Sequence, residues 1–97
     1  TVFEQQVWAA TKRISRGRVA TYADIARAAG SPRAVRAAGN ALNKNPYRSV
    51  PCHRVVRSDG SVGGYAHGVR AKIRKLAGEG VLTTAGMVNL KLYRVRI

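Results

Sequence analysis

The chain of 97 residues is long enough for one domain with a modest core, and 45% of its residues are hydrophobic. Its 18 Lys and Arg residues outnumber four Asp and Glu residues, so the formal net charge is +14. Such a charge favours a polyanionic partner, and nucleic acid fits best because bound cations release condensed counterions from phosphates. No apolar run approaches the ~20 residues of a membrane-spanning helix, and no signal segment follows Thr1. We therefore expect an intracellular protein with a nucleic-acid partner and without a membrane partner.

The first predicted element is an amphipathic helix. Phe3, Val7, Ala10 and Ile14 recur at helical spacing, and the pattern ends near residues 15–17. This helix is expected to serve as scaffold, and a short extended segment over 18–21 follows it.

Two further helices are predicted on either side of a glycine turn. Thr21 is a helix cap before a helix over 22–29, and Gly30 ends that helix. Ser31-Pro32 is a start signal for a third helix over 33–44. Two short helices joined in this way are typical of a helix-turn-helix, whose second helix approaches DNA. Helical hairpins with glycine turns also occur in proteins that do not bind DNA.

The third helix has two contrasting faces. One carries only small side chains: Ala34, Ala37, Ala38 and Ala41. The other carries polar and charged ones: Arg33, Arg36, Asn40 and Lys44. The alanines either pack against the preceding helix or, together with Gly39, let the backbone approach a DNA groove while Arg36 reaches inside. Both interpretations can hold for different residues.

The second half of the chain is predicted to hold the strands. Val55-Val56 and Ser61-Val62 flank Ser58-Asp59-Gly60 and predict a hairpin. A helix is predicted over 68–77, with its cations expected to face solvent: Arg70, Lys72, Arg74 and Lys75. A terminal strand is predicted from four apolar positions: Val88, Leu90, Leu92 and Tyr93. The expected fold is mainly α with a small β-hairpin, in a single domain over 1–97.

The only cysteine, Cys52, follows Pro51 and precedes His53 and Arg54. With two histidines in the chain, the sequence offers no zinc-ligand spacing, so we expect no metal site. A free cysteine is usually a small buried hydrophobic residue. Here, however, His53 can relay a proton and the neighbouring cations favour thiolate, which predicts a reactive nucleophile. Glu79 is either the carboxylate that orients His53 or a solvated charge near a helix end.

Several short motifs occur in the order found in one family: Tyr22, Arg36, Asn45-Pro46, Pro51-Cys52-His53-Arg54-Val55, Gly64-Tyr65 and Glu79-Gly80. Over residues 2–82 the chain strongly resembles the C-terminal active-site domain of O6-alkylguanine-DNA alkyltransferases. The resemblance implies a winged helix-turn-helix that binds the minor groove of double-stranded DNA, flips the damaged nucleotide and moves its alkyl group irreversibly onto the cysteine, without a cofactor. We expect a monomer. The N-terminal domain of most members is absent from this sequence, which is therefore expected to be a minimal natural version, an excised domain or part of a fusion.

The resemblance also implies roles for individual residues. Among the catalytic ones, Cys52 is the nucleophile, His53 its base through a water, Glu79 the group that holds the imidazole, and Asn45 the residue that orders the loop. The Tyr22 ring is implied to contact the target phosphate, and its hydroxyl is implied to contact the guanine ring. The carbonyls of Cys52 and Val55 are implied to accept from the exocyclic amine, and the amide of Ala66 to donate to the alkylated oxygen. Tyr65 is implied to line the pocket opposite Leu42. Arg36 is implied to fill the gap left by the flipped base. Arg33 is expected to contact phosphate, and the remaining contacts with the groove are expected from the same helix: Val35, Ala37, Gly39 and Asn40.

Three departures from the family pattern are visible. The connection from Asn45 to Pro51 is shorter, Val35 stands where a smaller alanine is common, and His67 stands where glycine is frequent, so acceptance of bulky alkyl groups is expected to differ. Two other functions fit part of the sequence. A damage reader would flag the lesion without repair, but such proteins typically carry tryptophan in place of Cys52. A plain helix-turn-helix regulator leaves His53, Tyr22 and Tyr65 unexplained.

Overall fold

The computed structural model describes residues 1–97. Its elements in chain order are α1 (Val2–Thr11), β1 (Ala20–Thr21), α2 (Tyr22–Ala28), α3 (Val35–Asn43), a 3-10 turn (Cys52–Arg54), β2 (Val55–Val56), α4 (Val69–Gly78), β3 (Thr83–Thr84), β4 (Met87–Val88) and α5 (Leu90–Tyr93). The expected class, mainly α with a small hairpin, is confirmed. None of these helices has the length and apolar character needed to span a membrane.

The first three helices pack against one another around the main core. Val7, Ala10 and Ile14 are buried there, as their spacing predicts. The helix itself ends at Thr11, earlier than expected, and tighter turns carry the chain to Ile14. The indole nitrogen of Trp8 donates to the Ala41 carbonyl at 2.9 Å, which ties α1 to the end of α3. This contact helps to fix α3 relative to the scaffold.

The helix-turn-helix consists of α2 and α3. Thr21 caps α2 as predicted, and Asp24 completes the capping box by accepting from the Thr21 backbone amide at 3.0 Å. The prediction that α3 begins at residue 33 is wrong. Ser31, Pro32 and Arg33 form a turn in which the Ala34 amide donates to the Ser31 carbonyl at 2.9 Å, and the helix starts at Val35 without a side-chain cap.

The predicted hairpin between Val55-Val56 and Ser61-Val62 is also wrong. Val55–Val56 pairs in parallel with Ala20–Thr21, so the two strands join distant parts of the chain. A tight turn does form over 57–61, where the Arg57 amide donates to the Ser61 carbonyl at 2.9 Å. Ser61 itself forms a bridge with Met87. The short hairpin of this fold lies later, where β3 and β4 pair antiparallel.

The last segment packs on the start of β1. Val88 lies in β4, but Leu90–Tyr93 forms the helix α5 rather than the predicted strand. Beyond α5 the chain is extended, and Val19 exchanges backbone hydrogen bonds with Tyr93 and Val95, both at 2.9 Å. Arg94 donates from two nitrogens to the buried Asp24 carboxylate at 2.9 and 2.6 Å. The tail therefore holds α2, the first helix of the helix-turn-helix, in place.

Candidate active site and nucleic-acid interface

A cleft of about 850 Å³ opens between the end of α3, the 45–51 segment, the 3-10 turn and the 64–67 loop. Seven of the predicted site residues line it: Tyr22, Leu42, Asn45, Cys52, His53, Tyr65 and Ala66. Val55 does not, because β2 pairing buries it completely in the core. Residues 36 and 52 are distant in sequence, but the packing of α3 against the scaffold places the helix beside this cleft.

The Cys52 thiol lies half-buried in the cleft, at the first residue of the 3-10 turn. Asn45 Nδ2 donates to its sulfur at 3.2 Å, and the thiol faces the Leu42 carbonyl at 3.7 Å. Burial raises the pKa of Cys52, and the Asn45 hydrogen bond and two lysine charges offset that shift only in part. The charges of Lys72 and Lys75 favour the thiolate, but desolvation outweighs them. The thiol needs a base.

Asn45 orders the segment that leads to Cys52. Its side-chain amide donates to the Tyr47 carbonyl at 2.8 Å, and its oxygen accepts from the Tyr47 amide at 2.9 Å. These two bonds close a turn typical of asparagine before the chain reaches Pro51. The shorter connection therefore still brings Asn45 to the sulfur.

His53, Arg54 and Glu79 form a largely buried cluster that begins next to Cys52 in the chain. His53 Nε2 lies 3.0 Å from Glu79 Oε2, while Arg54 donates to both carboxylate oxygens, at 2.9 and 2.8 Å. Burial alone would raise the pKa of Glu79, but the hydrogen bonds from Arg54 and His53 lower it to about 2. Glu79 is therefore ionised and can only accept, which requires the hydrogen of His53 to be on Nε2.

This arrangement leaves His53 Nδ1 as a proton acceptor. Burial lowers the pKa of His53, and the Glu79 carboxylate counteracts this only in part, so the imidazole is neutral near pH 7. Arg54 also donates from Nη1 to the Ile14 carbonyl at 2.7 Å, which anchors the cluster to the scaffold. Arg54 therefore acts on Glu79 and does not lie free beside the thiol.

Lys72 was predicted to face solvent, but the structure buries it completely. Its ammonium donates to the carbonyls of Val62 and Gly64 and to the Tyr22 hydroxyl, the last two at 3.1 and 3.3 Å. Burial lowers the pKa of Lys72 to about 8. The helical spacing contained this signal, because position 72 shares one face with three apolar residues: Val69, Ile73 and Leu76.

Replacing Lys72 with methionine should destabilise the protein by about 2 kcal/mol, because the variant leaves the buried Val62 carbonyl without its lysine donor. The measurement is the free energy of unfolding in urea. Lys75→Met on the exposed side of the same helix is the matched control and should change it by less than about 0.5 kcal/mol. Equal values for the two variants would contradict a structural role for the Lys72 ammonium.

Tyr22 lies where the cleft meets α3. Its hydroxyl donates to the Gly64 carbonyl at 3.3 Å, and burial raises the pKa of this phenol, so it stays protonated at neutral pH. Gly63 makes this contact possible: its φ is +75°, and a Cβ there would lie 3.2 Å from the Tyr22 ring and hydroxyl. The 62–66 loop, Tyr22 and Lys72 are thus one packed unit.

The small residues of α3 divide between the two interpretations, some packing against the scaffold and others lying on the exposed face. Ala38 and Ala41 are buried against the scaffold, whereas Ala37 is exposed. A Cβ on Gly39 would lie 3.8 Å from the Tyr22 ring, so this glycine lies between the exposed face and the cleft. The remaining predicted DNA contacts are all exposed: Arg33, Val35, Arg36 and Asn40. The exposed face of α3 is therefore a basic ridge with little bulk.

The residues 2–81 match the family model for the DNA-binding domain of 6-O-methylguanine DNA methyltransferase. The chain belongs to this family. A methylated-DNA--protein-cysteine methyltransferase of Methanothermobacter thermautotrophicus is 48% identical over 83 residues, which are 84% of this chain and 46% of the relative.

Two solved structures share the fold. Schizosaccharomyces pombe Atl1, in complex with damaged DNA containing O6-carboxymethylguanine, has a TM-score of 0.85 at 33% identity and covers 98% of this chain and 95% of its own. Mycobacterium tuberculosis OGT in complex with DNA has a TM-score of 0.79 at 41% identity, over 82% of this chain and 49% of its own. The chain thus spans less than half of this methyltransferase and of the one from Methanothermobacter.

Proposed function

We propose that the protein repairs DNA by moving the alkyl group of O6-alkylguanine onto Cys52 in a single turnover. The observation that carries this proposal is the arrangement at the cleft. The half-buried Cys52 thiol and the adjacent residue His53 line the same cleft, and His53 Nε2 faces Glu79, which leaves Nδ1 to accept a proton. A tryptophan at position 52 would have favoured a damage reader, and a buried inert thiol would have favoured a regulator.

In the proposed reaction the thiol proton passes through a water to His53 Nδ1, and the sulfur attacks the alkyl carbon. The new sulfur–carbon bond forms as the bond from that carbon to guanine O6 breaks, and the electron pair goes to O6. The guanine ring regains one proton, so the thiol hydrogen is replaced by the alkyl group and nothing else is consumed. The Tyr22 hydroxyl, kept protonated, can turn from the Gly64 carbonyl to donate to the ring and improve the leaving group.

The same proposal assigns the exposed face of α3 to DNA. Arg36 is exposed and forms no ion pair, so its guanidinium is free to fill the stack after the nucleotide rotates into the cleft. Ala37 and Gly39 let the backbone approach the groove, and Val35 and Asn40 flank it. Arg33 is assigned to phosphate.

Arg36→Ala should slow repair in duplex DNA by about 10²-fold but leave the reaction with the free alkylated base nearly unchanged. Only the duplex imposes an unstacking cost of a few kcal/mol. The measurement is the single-turnover rate on each substrate. Arg33→Ala is the comparison variant and should weaken DNA binding. It should also reduce the slope of log affinity against log salt concentration by about one. Equal losses on both substrates for Arg36→Ala would contradict the proposal that Arg36 fills the stack left by the flipped base.

The test of the proposed function is the fate of the lesion. Duplex DNA with one O6-methylguanine is incubated with limiting protein, hydrolysed to nucleosides and analysed for guanine and O6-methylguanine. Repair should stop when the guanine restored equals the protein added. If lesion DNA binds tightly while its O6-methylguanine stays intact, the protein is a damage reader; if lesion and undamaged DNA bind equally and no lesion is lost, it is a regulator.

A further inference from the structure

The lining of the cleft carries cations and no carboxylate. Lys12, Arg48, Arg54 and Lys75 contribute to it, whereas none of the chain's four acidic residues does. The one acid nearby, Glu79, lies behind the lining with its charge bound by Arg54 and His53. The space that receives the alkyl group is therefore electropositive. This positive charge comes from the cleft lining and is separate from that of the surface proposed to face the DNA backbone.

Lys75 is the cation best placed to act on the contents of the cleft. It projects from α4, one turn after the buried Lys72, and its Nζ lies 5.8 Å from the centre of the Tyr65 ring. Its charge lowers the pKa of both Cys52 and His53, so it reaches the reacting groups electrostatically. Lys75 forms no ion pair or hydrogen bond within the protein, and its ammonium is free for a ligand.

Tyr65 has a fixed place beside this ammonium. The His67 ring contacts it edge-on, with 5.3 Å between ring centroids, and Lys75 lies over it. All three side chains line the same cleft. A carboxylate that extended from the alkyl carbon toward the Tyr65 side would therefore meet the Lys75 ammonium.

We propose that this cleft selects O6-alkyl groups that end in a carboxylate over neutral groups of the same size, and that Lys75 is the specificity-determining residue. The inference rests on the proposed function and narrows its substrate class. For an O6-carboxymethyl group the step is balanced as before. The Cys52 sulfur bonds to the methylene carbon, that carbon's bond to O6 breaks with the electron pair left on O6, and the guanine regains a proton. The product on the protein is S-carboxymethylcysteine.

The test compares two matched duplexes, one with O6-carboxymethylguanine and one with its neutral carboxamide analogue. The quantity measured is the ratio of single-turnover rates, charged over neutral, because a ratio within one protein cancels effects on folding and on the thiol. Lys75→Met should lower this ratio about fivefold, the effect of one exposed ion pair. Lys75→Arg should keep it. Arg74→Met removes the same charge from the same helix without lining the cleft and should leave it unchanged.

A third duplex with O6-methylguanine separates the two hypotheses. If the methyl group is transferred but Lys75→Met leaves the ratio as in the parent protein, the selectivity proposal is overturned and the repair function stands. An equal fall of the ratio in Lys75→Met and Arg74→Met also overturns it, because general charge would then explain the preference. If no duplex loses its alkyl group, the repair function itself fails.

Discussion

Cys52→Ala should abolish alkyl transfer while leaving the affinity for lesion-containing DNA within about twofold. The thiol is the only cysteine sulfur in the chain, and its side-chain hydrogen bonds are those with Asn45 and the Leu42 carbonyl. Asn45 loses one contact but keeps its two hydrogen bonds to Tyr47. Transfer is measured by loss of O6-methylguanine, and affinity is measured by titration of labelled duplex at fixed salt, because salt controls the phosphate contribution.

Cys52→Ser is the companion variant, since its oxygen can still accept from Asn45. A serine hydroxyl is a far weaker nucleophile at this site because its proton is much harder to remove, so it too should show no transfer. Residual transfer by either variant at more than a trace of the parent rate would show that another group receives the alkyl group. The cleft holds no second thiol, so such a result would contradict the proposed chemistry directly.

His53→Ala should slow alkyl transfer near neutral pH by about 10²-fold or more, the usual contribution of a positioned general base. Burial raises the pKa of the Cys52 thiol, so the protonated form predominates at neutral pH and needs an acceptor. His53 is neutral there because burial lowers its pKa, and Glu79 directs its free nitrogen away from the carboxylate. Glu79→Gln should therefore also slow transfer, because the imidazole loses its orientation and its anionic partner.

A double variant separates a relay from two independent contributions. If His53 and Glu79 act as one unit, the His53→Ala, Glu79→Gln double variant should be about as slow as His53→Ala alone. Unfolding curves check that Arg54, which shares Glu79, still holds the Ile14 carbonyl. Multiplicative losses in rate would indicate that Glu79 serves Arg54 and the scaffold rather than the imidazole.

The pH dependence gives a readout that a purely structural role would not change. The rate of thiol alkylation by a small neutral reagent should rise with pH in the parent protein, since the raised pKa leaves little thiolate at pH 7. Removal of His53 or Glu79 should move this profile to still higher pH. Four coincident profiles for the parent, both single variants and the double variant would contradict the relay.

Local patterns in the sequence predict much of this fold. The Thr21 cap, the glycine turn and the helix over α4 all follow from residues within a few positions of each other. The parallel pairing of β1 with β2 joins residues 20 and 55, and strands of two residues carry no periodic pattern that could predict it. The turn predicted around residue 59 is therefore correct, but the strand predicted to pair with Val55-Val56 is wrong.

The site could be predicted in part for the same physical reason. Cys52 and His53 are adjacent, and the family motifs indicated Glu79 and Asn45, which the structure brings to the imidazole and the sulfur. The resting state of the thiol could not be predicted, because it depends on how far burial outweighs nearby charge. Lys72 was assigned to solvent by residue type, although its position in the helical repeat places it inside.

Intact mass of the protein after incubation with duplex DNA that contains O6-methylguanine tests the central claim most directly. The account predicts a gain of one methyl group in every active molecule, without an added cofactor, and peptide mapping should place that methyl on Cys52. Undamaged duplex of the same sequence should leave the mass unchanged. An unchanged mass after prolonged incubation with bound, intact lesion DNA, or a methyl group on any residue other than Cys52, would contradict it.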